Sequence, residues 1–371
     1  MDILTILGIL IVIVSVALAG IATLTLTLSW IFARNTARRK TCRDRMREEL
    51  FYRFDNDEND WSAWVTTLTE EEQTELGRIV LRYLRLVTGS ERRKYLQLAG
   101  ALSLGEKAHA SLENGEYYPR LEALTTLTYL DYPLSIDYLL STSQGYRQSR
   151  EAAARLLYHR REEYEDAHTI GTQMLIGSGT EALSVYGLKT LAALNAGRET
   201  PILALAADAH HEWDRGVLIQ ICLVVEQTPQ MGSDTPVAWI ADLTTADDPA
   251  IRSAAIRAMK RLGHRDTVRN SLDIHALITD SAPDVRRNTY EILAYWGDRT
   301  AIARLESALI TETDPRCQLT AIRGLLSQQT IPEWKTADWP QAAYKWVRAE
   351  IDVADSTRLP VDDLQGEMHL G

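Results

Sequence analysis

The sequence predicts an all-α protein in which a single transmembrane helix is followed by a right-handed α-solenoid of about seven to eight helix pairs. Three observations lead to this fold class. Residues 3–33 carry no charge, residues 247–327 repeat one helix-start pattern, and no alternating apolar run is long enough to build a sheet. The predicted domains are a transmembrane anchor at 1–33, a basic juxtamembrane segment and acidic linker at 34–68, the solenoid at 69–352 and an acidic flexible tail at 353–371.

The N-terminal segment is long enough for a bilayer, which requires about 20 apolar helical residues. Seven Lys or Arg residues and one acidic residue, Asp44, follow between positions 34 and 47. Because basic flanks stay on the cytoplasmic side, we expect a single-pass inner-membrane protein with its N-terminus outside and its solenoid in the cytoplasm. The alternative is a signal peptide cleaved near Ala17–Ala19, but its n-region has no Lys or Arg and the apolar run continues past that point.

The body begins with one well-defined helix signal and then becomes periodic. Thr69 and Glu72 have the spacing of a capping box, and apolar residues follow at helical spacing from Leu76 to Val87. Further along, Pro249, Pro283 and Pro315 lie 34 and 32 residues apart. Proline suits the first turn of a helix, where its missing N–H costs nothing. The spacing therefore predicts repeated helix pairs.

The residues around each proline identify the kind of repeat. Asp248-Pro249-Ala250-Ile251-Arg252 resembles the first helix of HEAT repeats, which commonly begins Asp-Pro-x-Val-Arg, and Pro283–Arg286 and Pro315–Gln318 follow the same pattern. The resemblance implies a stack of helix pairs, with Arg252 and Arg286 in a structural ladder with acidic residues. Weaker repeats are predicted upstream, with first helices that begin near Ser90, Pro119, Arg147, Thr180 and Asp214.

The predicted partner-binding residues lie on two second helices of this array. Residues 252–304 form a locally basic zone in an otherwise acidic body. In HEAT-like arrays the second helices line the concave surface, so the resemblance makes Arg269, Asp273, Arg304 and Ser307 one polar strip. Fixed guanidinium groups suit carboxylate or phosphate on a partner. The alternative is that both arginines only neutralise nearby carboxylates.

The sequence contains no convincing catalytic, cofactor or metal site. His210-His211-Glu212 with Asp214 is the only cluster rich in metal ligands, and it falls in a predicted turn between helices. Gly177-Ser178-Gly179-Thr180 lacks the Lys and the preceding strand of a phosphate loop, so we read it as a helix-to-helix turn capped by Thr180. We expect neither catalysis nor a bound cofactor.

Repeat solenoids offer long surfaces and usually bind other macromolecules. We therefore predict a membrane-anchored scaffold or adaptor that binds protein partners at the cytoplasmic face of the membrane. The net charge of −11 argues against a nucleic-acid partner, and no small-molecule substrate is evident. The alternative is a HEAT-like enzyme of the lyase type, or an accessory subunit of a membrane glycosyltransferase.

Overall fold

The computed structural model confirms the all-α class. It describes residues 3–56, 60–197, 200–228, 237–263, 266–328 and 336–357, and the side chains of 3–15, 17, 19 and 354–357 are not part of that description. The described residues form 20 α-helices, and the protein is 79% helical by this description. Two compact units divide the chain, one from Met1 to Thr142 and one from Ser143 to Gly371. The part of the predicted acidic tail beyond Thr357 lies outside the described residues.

The prediction of a transmembrane anchor is wrong. Within the described part of the chain, none of the helices combines the length and the apolar character that crossing a membrane requires. This finding overturns the anchor at 1–33 and the single-pass inner-membrane placement that depended on it. The first helix, α1, runs from Ile3 to Asp55 without a break at the expected membrane boundary near Ala33.

The basic segment of α1 is bound by protein carboxylates. It packs along helix α3 (Glu70–Leu84), whose first turn carries three glutamates. Arg38 contacts Glu71 at 2.8 Å, and Arg45 pairs with Glu72. The sequence had placed these positive charges beside a membrane, whereas the structure gives several of them partners within the same unit.

The first unit is built on the C-terminal part of α1. Met46 and Leu50 of α1 are fully buried against Trp61 and Trp64, which lie on a short helix that follows. The capping box predicted at Thr69 is confirmed. The Thr69 side chain accepts a hydrogen bond from the Glu72 amide, and the Glu72 side chain accepts one from the Thr69 amide. The remaining helices that begin in this unit are α2 (Trp61–Thr67), α4 (Gly89–Ala101), α5 (Leu104–Asn114), α6 (Tyr117–Tyr129) and α7 (Ile136–Ser143).

The second unit consists of two layers of helices. The helices of the first layer contact one another in chain order, and they are α8 (Arg147–His159), α10 (Val185–Leu194), α12 (Arg215–Gln227), α14 (Pro249–Leu262), α17 (Pro283–Trp296), α19 (Pro315–Gln328) and α20 (Gln341–Thr357). The second layer connects them, and it comprises α9 (Ala167–Ile176), α11 (Pro201–Ala209), α13 (Ala238–Leu243), α15 (Asp266–Ser271), α16 (Ile274–Ile278) and α18 (Arg299–Thr311). This packing is repeat-like.

The repeated prolines have the predicted role. Pro249, Pro283 and Pro315 are each the first residue of a first-layer helix. Asp248 caps α14 by accepting a hydrogen bond from the Ala250 amide, and Gly297 ends α17 in a left-handed conformation with φ of 64°. The prolines therefore predicted these helix starts correctly.

Two predicted boundaries upstream differ from the structure. The helical spacing predicted to continue to Val87 stops earlier, because α3 ends at Leu84 and the next helix, α4, begins at Gly89. The predicted cap at Thr180 is also displaced, because α10 begins at Val185 and is capped by Ser184. The buried Glu151 of α8 binds both the amide and the hydroxyl of Ser184, so a contact from the preceding repeat selects this cap.

Candidate protein-binding surface

Arginines of the repeat motif join successive repeats. The Arg252 guanidinium donates two hydrogen bonds of 2.8 Å to Asp280, which precedes the next first-layer helix. It also donates to the backbone carbonyls of Ala246 and Asp247, in the turn before its own helix. The predicted contact with an acidic residue is thus confirmed at Arg252, and four of the five guanidinium N–H groups are engaged within the protein.

The next joint repeats this geometry and adds a tyrosine. Arg286 donates two hydrogen bonds of 2.8 Å to Glu312 and one to the Asp280 carbonyl, and the Tyr290 hydroxyl donates to Glu312 at 2.7 Å. Burial alone raises the pKa of Glu312, but the hydrogen bonds from Arg286, the Asp314 amide and Tyr290 lower it to about 2. The carboxylate therefore stays ionised although it is buried.

Two other first-layer helices carry the equivalent position. One precedes these joints in the chain and has an arginine there, and the other follows them and has a glutamine. Arg150 of α8 donates to Glu181, before α10, in a joint that the sequence did not reveal because no proline introduces α8. In α19 the arginine position is occupied by Gln318, which donates to the Glu312 carbonyl at 2.7 Å. Gln318 reproduces the bond to its own turn without needing a carboxylate from the next repeat.

Of the predicted strip, Arg269 and Asp273 have structural partners. Arg269 donates to Asp298 at 2.5 Å, and its guanidinium lies 4.9 Å from the centre of the Trp296 ring. A hydrogen bond from the Ala301 amide holds the pKa of the Asp298 carboxyl below its ordinary value, and the hydrogen bond from Arg269 adds a smaller effect in the same direction. Asp273 caps α16, so the second helix predicted to run past Arg269 is divided at this residue.

The other two residues of the strip, Arg304 and Ser307, lie exposed on α18. Arg299, at the first position of the same helix, is also exposed. Among the described residues, neither the Arg299 side chain nor the Arg304 side chain has a hydrogen-bond or ion-pair partner. The structure thus brings Arg304 and Ser307 onto one helix face, but no described contact joins them to Arg269 or Asp273.

Arg299 and Arg304 differ in this respect from the rest of the basic zone. Arg265 lies outside the described residues. The other seven basic residues between 252 and 304 each have a protein acceptor, and they are Arg252, Arg257, Lys260, Arg261, Arg269, Arg286 and Arg287. We define the α18 surface as the exposed residues of this helix between positions 299 and 310, which are Arg299, Thr300, Ala303, Arg304, Ser307 and Ile310.

A separate groove of about 420 Å³ lies across the ends of α14, α17 and α19. Its charged side chains are engaged between neighbouring helices, because Lys260 binds Glu291 and Arg323 binds Glu350, each at 2.9 Å. The groove therefore offers less unpaired charge to a partner than the α18 surface does.

The histidine cluster contributes to packing. The His210 ring donates a hydrogen bond from Nδ1 to the Ala206 carbonyl at 2.8 Å and lies 5.9 Å from the Trp239 ring. His211 is solvent-exposed beside Glu212. In the parts of the chain with described placement, no three His, Cys, Asp or Glu side chains converge as a metal site would require.

Comparisons with known proteins give no family for this chain. The sequence matches no protein-family model and no curated protein sequence.

Proposed function

We propose that this chain is a HEAT-like scaffold whose α18 surface binds an acidic segment of a protein partner. The repeated arginine joints support the HEAT-like assignment, since Arg252 and Arg286 make equivalent bonds to their own turn and to the next repeat. Such joints fix the register between repeats, and a fixed register gives an extended array a defined surface.

The observation that carries the binding proposal is the contrast within the basic zone. Seven arginines and lysines there have protein acceptors, whereas Arg299 and Arg304 are exposed without a described partner. A guanidinium in this state can form bidentate hydrogen bonds with a carboxylate at little desolvation cost. An acidic protein segment supplies such carboxylates.

The test is quantitative capture of proteins by the tagged full chain, with mass spectrometry as readout. The variant carries Arg299→Glu together with Arg304→Glu, and the matched control is Arg348→Glu on α20, another exposed arginine without a described partner. We expect the double variant to lose specific partners that the wild type and the control retain. Raised salt should weaken the same capture, because exposed charge pairs are screened.

The proposal fails if the double variant keeps its normal circular dichroism spectrum and captures the same proteins in the same amounts. It also fails if Arg348→Glu abolishes capture equally, because the effect would then reflect total charge and not the α18 surface.

A further inference from the structure

We infer that the α18 surface accepts an α-helix that carries acidic residues along both edges of its contact face. This inference rests on the proposed function and specifies the structure and charge pattern of the partner segment. It depends on where the exposed residues lie around the axis of α18.

The two unpaired arginines lie on opposite edges of the exposed face. Each residue of an α-helix turns by about 100° around the axis, so Arg299 and Arg304 are separated by about 140°. Thr300, Ala303 and Ser307 fall between them, and the buried residues Ile302 and Leu305 lie on the opposite side. The centre of this face, which we call the floor, therefore carries small side chains, and one long cationic side chain lies at each edge.

The small side chains of the floor permit close approach of another helix. Packed helix axes are about 8–10 Å apart, and the spacing depends on the side chains at the contact. Ala303 and Ser307 are one turn apart and project little from α18. Ile310, which is 61% exposed, continues the floor by one further turn and provides an apolar contact.

The charge pattern determines what the partner helix carries. Arg299 and Arg304 each favour a carboxylate opposite them, at positions offset by about 7.5 Å along α18. Glu306 lies on the Arg299 edge, two turns further along, and is half-buried. A basic residue opposite Glu306 would complete the pattern, and it would distinguish one orientation of the partner helix from the reverse.

Three fluorescently labelled peptides of equal length test the inference by anisotropy with the full chain. The first is an alanine-based helix with glutamates along both edges of one face, the second replaces each glutamate by lysine, and the third has the composition of the first with two central prolines that break the helix. We expect the acidic helix to bind best.

Two protein variants separate charge from shape. Arg299→Glu with Arg304→Glu should weaken the acidic helix about tenfold or more, which corresponds to about 1.4 kcal/mol, and should strengthen binding of the lysine peptide. Ser307→Trp fills the floor without changing charge and should weaken the acidic helix by a similar factor. Ala342→Trp, at an exposed position of α20, is the control for a bulky substitution and should have no effect.

The outcomes also distinguish this inference from the proposed function. Equal binding of the proline-containing peptide, or no effect of Ser307→Trp, overturns the helix inference and leaves recognition of an acidic segment standing. Absence of any binding by the acidic helix overturns the inference, and the capture experiment then judges the proposed function by itself. Equal binding of a single-stranded RNA of matched charge overturns specificity for a protein helix.

Discussion

Breaking the joint between Arg286 and Glu312 should destabilise the protein far more than breaking an exposed ion pair of the same geometry. The Arg286 and Glu312 side chains are 15% and 2% exposed, and two hydrogen bonds of 2.8 Å connect them. The substitution Arg286→Ala would leave the Glu312 carboxylate buried without its cationic partner. Breaking a buried pair in this way costs about 3–5 kcal/mol.

The matched control lies in the same unit. Arg323 and Glu350 are also joined by two hydrogen bonds, both of 2.9 Å, but their side chains are 48% and 43% exposed. An exposed pair contributes about 0–1 kcal/mol, so Arg323→Ala should be nearly neutral. Geometry alone would predict equal effects, whereas burial predicts a large difference.

The assay is urea unfolding of the full chain and both variants, followed by circular dichroism at neutral pH. We expect Arg286→Ala to lower the free energy of unfolding by at least about 2 kcal/mol more than Arg323→Ala does. Equal losses in the two variants would refute the argument that burial decides the strength of these pairs.

Three other outcomes follow from buried groups and close contacts. Because the pKa of Glu312 falls from 4.5 to about 2, its stabilisation should be complete above about pH 4.5 and disappear toward pH 2, so wild type and Glu312→Gln should converge in acid unfolding curves. Gly324→Val should lower the free energy of unfolding in urea by about 1–3 kcal/mol, since a Cβ there would lie 2.5 Å from a side chain of α17, whereas Gly100→Ala meets open space and should not destabilise. At neutral pH a thiol reagent followed by mass spectrometry should modify Cys42 in the native protein, whereas burial raises the pKa of two other thiols to about 12 and should protect Cys222 and Cys317.

Helix starts could be predicted from the sequence wherever the signal is local. The prolines at 249, 283 and 315 and the capping box at Thr69 act within one helical turn, and each appears as expected. The same reasoning failed at Asp273, because the apolar spacing continues through this residue while its side chain caps a new helix. Spacing alone does not distinguish a surface aspartate from a capping one.

The long-range partners of charged residues could not be predicted in the same way. The resemblance suggested acidic partners for Arg252 and Arg286, but the packing of consecutive repeats selects Asp280 and Glu312. Similarly, the basic segment of α1 was assigned to a membrane, although its partners lie on α3. Arg299 was not selected in advance, because an unpaired arginine can be recognised only after the others have been paired.

The direction of the arginine joints constrains how an array of this kind can change in length. Each guanidinium reaches forward along the chain to a carboxylate of the following repeat, as Arg252 does to Asp280. A repeat that emerges from the ribosome therefore carries an uncompensated charge until the next repeat has been synthesised. Insertions or deletions should preserve the joints only when they add or remove whole repeats. Gln318 occupies the arginine position of α19, is neutral and bonds to its own turn, so this position does not depend on a carboxylate of a following repeat.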